Sequence, residues 1–333
     1  MGFSDMKIPN AKALSRLGPR GTFGLALQAV AEENPRVLGI SADLAVTAGM
    51  DRFRVTYPER FFNVGIAEQN LLGIASGLAD DGWVPFAVTF ANFAALRANE
   101  FVRHHMAYMG QNIKLVGIGA GFAMGQFGTT HYSIEDVSAL RGMPNLTIVA
   151  PADCAEVVAA VRAAAAMEGP IYLRLNGAPS MPMVDQADTA FELGKARRLS
   201  AGTDATVFAA GSMVAPSLKA AAALADRGLS IGVTNMHTIK PLDTEAVLEA
   251  ARGSELIITA EEHSVIGGLG GAVAEYLSSL GVATPLLRLG VGDRFPRVGN
   301  YGWVIAECGL DSIGIADSIW DYVSAGSKAD SRP

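Results

Sequence analysis

Apolar residues alternate along the chain between short continuous runs and helical stripes. TFGLALQAVAEE (22–33) places its apolar positions at helical spacing, and RVLGISADL (36–44) reads as a strand entering a polar turn. FFNVGIA (61–67) predicts a strand and EQNLLGIASGLAD (68–80) a nearly all-apolar helix. VPFAVTF (84–90) predicts a strand and ANFAALRANEFVRHHMAYM (91–109) one long helix. IKLVGIGAG (113–121) is a strand before a glycine-rich loop, and SIEDVSALRG (133–142) a helix with Ser133 as N-cap and Asp136 three residues on. LTIVAPA, CAEVVAAVRAAAAME and PIYLRLN then supply strand, helix and strand. Short apolar strands between helices imply a parallel sheet covered on both faces.

Residues 178–194 hold prolines and polar residues without periodicity, and read as an interdomain linker. A second alternation follows, from ATVFAAGS to IADSIWDYVSA, with about five strands. The predicted fold class is therefore α/β, as two doubly wound domains over 15–177 and 195–326, with a frayed tail, GSKADSRP.

Composition narrows the functions. Of 333 residues half are hydrophobic and 18% charged, which indicates a core-rich globular chain. A net charge of −7 without a basic cluster argues against a nucleic-acid or membrane-surface binder. Two distant cysteines offer neither a disulfide framework nor a metal spacing. The N-terminal stretch has no secretory pattern and no myristoylation pattern, and no run is long enough for a membrane span. A cytoplasmic location is expected.

The candidate chemistry starts at Glu68, a carboxylate at a strand-to-helix junction between apolar runs. It either complements the helix dipole or faces a cleft at the carboxyl end of the sheet, where open α/β folds bind ligands. A carboxylate desolvated there favours its protonated form and can share a proton with a ring nitrogen. Phe90 and Phe93, three apart, are either core or a stacking wall for a flat heterocycle. The loop 117–136 lacks the phosphate-loop and dinucleotide fingerprints, and His131 at its end is a candidate ligand-facing residue. Arg20 precedes the first helix, and Arg174 lies inside an apolar strand, where it needs a partner. That partner is either a carboxylate such as Asp43 or a bound phosphate. The glycines of EEHSVIGGLGGAV (261–273) suit tight strand–helix packing, with His263 at a rim.

SADL (41–44), GIAEQN (65–70), TFANF (89–93), GTTHYSIED (128–136), PAD (151–153) and YLRLN (172–176) occur in the order seen in the transketolase family of thiamine-diphosphate enzymes. The resemblance runs from about Arg20 to Trp320 and concerns the family's carboxyl-terminal part. It implies a thiamine-diphosphate pyrimidine-binding domain followed by a transketolase C-terminal domain. It also implies roles. Glu68 would bond the N1′ nitrogen of the cofactor's aminopyrimidine and favour the tautomer that ionises the thiazolium carbon. Phe90 and Phe93 would wall the pyrimidine, with Asp43 an acid near the cofactor. His131 would contact substrate oxygens, and Arg20, Thr47 and Arg174 would hold a sugar phosphate.

The family's GDG motif and its downstream Asn, which bind the diphosphate through Mg2+, do not occur here; VGDR (291–294) lies in the wrong domain. The resemblance thus implies the C-terminal (beta) subunit of a two-component transketolase, with thiamine diphosphate and Mg2+ shared with an N-terminal diphosphate-binding subunit in an alpha2beta2 heterotetramer. Phe127 stands where the family typically has an acid, Gly119 where it has a histidine and Leu96 where it has a tyrosine. These departures suggest an unusual or branched ketose phosphate as donor. The beta subunit of a 2-oxo acid dehydrogenase, a 1-deoxyxylulose-phosphate synthase and a non-catalytic scaffold subunit are the competing readings.

Overall fold

The computed structural model describes residues 8–176, 180–184 and 191–330. Part of the expected linker, the first seven residues and the last three lie outside the described residues.

The first half runs α1 (Ala11–Glu33), β1 (Val37–Ser41), α2 (Asp51–Thr56), β2 (Phe61–Asn63), α3 (Glu68–Asp80), β3 (Val84–Phe90), α4 (Asn99–Phe101), β4 (Lys114–Ala120), α5 (Asp136–Arg141), β5 (Thr147–Val149), α6 (Cys154–Ala166) and β6 (Ile171–Asn176). The second half runs β7 (Arg197–Ser200), β8 (Ala205–Ala209), α7 (Val214–Ala225), β9 (Ile231–Asn235), β10 (Thr238–Lys240), α8 (Thr244–Gly253), β11 (Leu256–Ser264), α9 (Leu269–Ser279), β12 (Leu286–Val291), α10 (Tyr301–Glu307) and α11 (Ser312–Asp330). No helix among the described residues is long and apolar enough to cross a membrane.

Two sheets form, in the orders β10-β5-β6-β4-β3-β1-β2 and β12-β11-β8-β9-β7. Every residue of β1, β3, β4 and β6 is buried, as the mainly apolar strands of a parallel sheet covered on both faces are. β10 and β7 are antiparallel additions at the edges. α1 and α6 cover one face of the first sheet, around Phe23, Leu27, Val157 and Val161. α3 and α5 cover the other, and their apolar layer continues without a break into α8 and α9 of the second half, through Val247, Leu269 and Val273.

Four local expectations change. LSIGVTNMHTI (229–239), a single segment in the alternation of runs along the sequence, holds two strands in the structure. β9 stays in the second sheet, while β10 crosses to pair with β5 of the first. Ser133 caps no helix; α5 starts at Asp136, whose carboxylate points into the core. The backbone of α11 continues helical to Asp330 instead of fraying within GSKAD. The helix expected over 91–109 is two π-helical stretches, Phe93–Arg97 and Val102–Tyr108, with α4 between them. Each π turn fits one more residue than an α turn and so shifts the angular position of everything after it.

Candidate active site

β1 and β3 are neighbours, and the chain leaves β1 outward to β2 before returning to β3. The order therefore reverses between β1 and β3, and the loops at the carboxyl ends of these strands open the crevice in which doubly wound sheets bind ligands. Residues 41–49, 63–68 and 90–97 all lie there.

Glu68 is the first residue of α3, where free backbone N–H groups favour a carboxylate. It is only 2% exposed. Both of its carboxylate oxygens accept hydrogen bonds from Arg97 Nη1, at 2.9 and 3.0 Å. The Arg97 guanidinium also lies over the Phe93 ring, 3.9 Å from its centroid. Gln69, the next residue of α3, donates to the Arg97 carbonyl at 3.1 Å and ties the helix start to the end of the π turn.

Asn63 organises the entry to α3. Its Oδ1 accepts from the backbone N–H of Asp43 at 3.0 Å and of Gly65 at 3.1 Å, and its Nδ2 donates to Asp43 Oδ1 at 2.9 Å. Asp43 is held at φ 58°, a left-handed conformation uncommon for a side-chain-bearing residue. The loop after β1 is thereby fixed to the loop that delivers Glu68.

Phe90, Phe93 and His131 meet, with ring centroids 5.7 to 5.8 Å apart. Phe127 joins them, 5.4 Å from the imidazole. Thr130 Oγ1 lies 2.8 Å from His131 Nδ1, and Asn92 Nδ2 donates to the Thr130 carbonyl at 2.7 Å, fixing the loop to the π segment. Gly119 has φ 69°, and a Cβ there would stand 2.8 Å from Met124 Cγ and 3.2 Å from Phe90. The space of any side chain at 119 is already filled by Met124 and Phe90.

Arg20 lies within α1, and Thr47 lies in the loop after β1. Arg20 follows the bend of α1 at Gly18 and Pro19, and Gly49, two residues after Thr47, packs against the Arg20 carbonyl. Among the described residues the Arg20 guanidinium makes no hydrogen bond or ion pair. Arg174 differs. It is 3% exposed and forms a two-point ion pair with Asp136, through Nε at 2.8 Å and Nη2 at 3.0 Å, and Nη2 also donates to the Glu262 and Ser133 carbonyls. The phosphate role expected of Arg174 is corrected accordingly: the guanidinium is enclosed and committed to protein acceptors. Its carboxylate partner is Asp136 and not Asp43.

This buried pair belongs to the junction between the halves. Burial alone would raise the Asp136 carboxyl, but the Arg174 charge, with help from His263 and the Tyr172 hydroxyl, holds it below the usual carboxylate range. Glu262 of β11 accepts from Ser212 Oγ, from Tyr301 Oη at 3.0 Å and from the Phe122 backbone, and burial raises its carboxyl. His263 is 1% exposed and bonded to the Ser138 backbone N–H at 3.2 Å; it is a junction residue and not a rim residue.

The structure therefore brings Glu68, Phe90, Phe93 and His131 into one constellation, with Asp43 joined through Asn63, Thr47 in the loop after β1, and Arg20 in α1, whose carbonyl Gly49 of that loop packs against. It adds Arg97, Gln69 and Asn63. Asn63 and Gln69 flank Glu68 in NVGIAEQN, and a polar side chain beside a functional turn is their signal. Arg97 left none, because its approach depends on the π turn.

Residues 17–178 match the transketolase pyrimidine-binding domain, and residues 194–315 match the transketolase C-terminal domain. The chain belongs to the transketolase family. It is 37% identical over 305 residues to a putative transketolase C-terminal section of Methanocaldococcus jannaschii, covering 91% of this chain and 96% of that one. It is 41% identical over 291 residues to a 6-deoxy-6-sulfo-D-fructose transketolase subunit of a Clostridium species, covering 87% and 90%. Among solved structures it resembles a split-gene transketolase described as an inactive beta4 tetramer, with 40% identity, a TM-score of 0.82 and coverage of 92% and 97%. Enzymes of the transketolase family are thiamine-diphosphate-dependent transferases, and this chain corresponds to the family's C-terminal section. The residues present fit the pyrimidine half of that cofactor. Glu68 is a buried acceptor at the switch point, and the aromatic cluster beside it offers flat apolar surface to a heterocycle.

Proposed function

We propose that this chain is the C-terminal subunit of a two-component transketolase that moves a two-carbon ketol unit between sugar phosphates. The carrying observation is Glu68, buried at the switch point beside an aromatic wall. When bound, the cofactor supplies the carbanion-stabilising chemistry. Glu68 holds a proton at the pyrimidine N1′, Phe90 and Phe93 orient the ring, and Asp43 lies near the cofactor. His131 bonds substrate oxygens. Arg20 and Thr47 receive the sugar phosphate without Arg174.

A partner subunit carrying the diphosphate-binding motif would hold Mg2+, in an alpha2beta2 assembly in the cytoplasm. Exposed apolar side chains on the loops and π segment around Glu68 support such an interface: Ile66 at 76%, Val46 at 70%, Phe127 at 53% and Leu96 at 47%. Two relatives matched over 90% or more of their length are named as a section and as a subunit. Phe127 makes the donor pocket more apolar beside His131, which supports a donor other than the common ketose phosphates. One relative is named for a sulfo sugar, and this agrees with an unusual donor.

Affinity capture of the tagged chain from its own cells, with sequencing of what co-purifies, tests the reading. The expected result is a stoichiometric partner with GDG and a downstream Asn. Capture of a lipoyl-bearing partner in its place would reassign the chain to 2-oxo acid dehydrogenase chemistry.

A further inference from the structure

Among the described residues the Glu68 carboxylate has one partner, and that partner stands where a ligand must go. Arg97 Nη1 bridges both Glu68 oxygens, and the same guanidinium covers the Phe93 face at 3.9 Å. Acceptor and aromatic face are the two surfaces a planar aminopyrimidine needs, on the function proposed above. Arginine and ring cannot fill one close-packed volume together.

The two side chains differ in freedom to leave. Glu68 is 2% exposed, whereas the Arg97 side chain is 42% exposed. The Arg97 backbone is pinned, its carbonyl by Gln69 and the turn around it by the Ala98 N–H to Phe93 carbonyl bond at 3.0 Å. Any movement is therefore a swing of the guanidinium toward the mouth. It keeps its charge, since arginine does not deprotonate in proteins.

We propose that Arg97 is a displaceable counter-ion, and that loading the pyrimidine site exchanges its guanidinium for a proton at Glu68. In the empty site the buried carboxylate is neutralised by Arg97. When the guanidinium turns outward, one proton from solvent takes its place between the Glu68 oxygen and the incoming neutral ring nitrogen. No covalent bond other than that to the proton is made or broken, and the charge of the enclosed site stays balanced. Arg97 is thus a positioning residue: it holds Glu68 in place until the ring arrives, and it competes with the ring for both surfaces.

The test is calorimetric titration of thiamine diphosphate with Mg2+ into the complex assembled with the diphosphate-binding subunit. Buffers of different ionisation enthalpy report the protons taken up. Wild type is expected to take up about one proton per site more than Glu68→Gln, since the exchange puts a single proton at Glu68. Arg97→Met is expected to bind about three- to tenfold more tightly, because the competing group is gone. Arg97→Lys, which restores a competing cation, is expected to return toward wild-type affinity. Equal proton uptake in wild type and Glu68→Gln, or weaker binding by Arg97→Met, would show that Arg97 stays on Glu68 in the loaded site and would overturn the proposal. No binding by the wild-type complex would instead contradict the proposed function itself.

Discussion

At the scale of single residues, two buried carboxylates show how placement divides chemistry from structure. Glu68 and Asp136 both pair with arginine, but the partner of Glu68 is partly exposed, whereas Arg174 is enclosed with Asp136. Glu68→Gln keeps shape and hydrogen bonding but loses the proton relay. Turnover of the assembled enzyme is expected to fall about 10²–10⁴-fold, the usual worth of general acid–base help, with thermal stability nearly unchanged. Arg174→Met should do the reverse to stability. It leaves Asp136 buried and unpaired, a cost of about 3–5 kcal/mol, read as a fall in the denaturant midpoint and partly recovered in Arg174→Met/Asp136→Asn. The pH dependence of this pair follows from its sign. Asp136 titrates lower in the folded state than its ordinary 3.8, so its stabilisation is present above that value and is lost as pH falls through the folded one. An arginine within an apolar strand signalled a buried partner. Its identity was hidden, because 38 residues and a chain reversal separate the two.

At the scale of elements, the legible parts were those with a single strong period. Helix 68–80 and strand 84–90 appear in the structure at the expected bounds, since apolar runs closed by polar or glycine residues leave one choice. The 91–109 segment shows the opposite. Its apolar positions satisfy an α period well enough to suggest one helix, yet the chain adopts π turns, which no local pattern announces. The Arg97–Glu68 pair was illegible for that reason. The junction of α6 with β9 makes a further expectation. Glu156 accepts from the Ala152 N–H at 2.6 Å and from Asn235 Nδ2 at 2.8 Å. Desolvation there pushes its carboxyl from 4.5 up to about 7, against the pull of these hydrogen bonds. A folded value above the unfolded one means that its stabilisation is complete below about 4.5 and is lost as pH rises through about 7. Glu156→Gln should therefore flatten the decline of melting temperature between these values. An unchanged slope in that variant would assign the decline to other groups.

At the scale of the whole molecule, two α/β halves were readable from the alternation of runs, but their joining was not. β10 leaves the second half to complete the first sheet, and a shared apolar layer with the Arg174, Glu262 and His263 contacts holds the halves together. Such long-range pairing has no local signature. The account's central claim is that this chain supplies the pyrimidine half of an active site completed by a second subunit. The most direct measurement is ketol transfer from a panel of ketose phosphates, with thiamine diphosphate and Mg2+ present, as the partner subunit is titrated into a fixed amount of this chain. The account predicts no turnover from either subunit alone, a rise that saturates at one partner per chain, and loss of that rise with Glu68→Gln. Full turnover by this chain alone, or a saturated complex as active with Glu68→Gln as without it, would contradict the account.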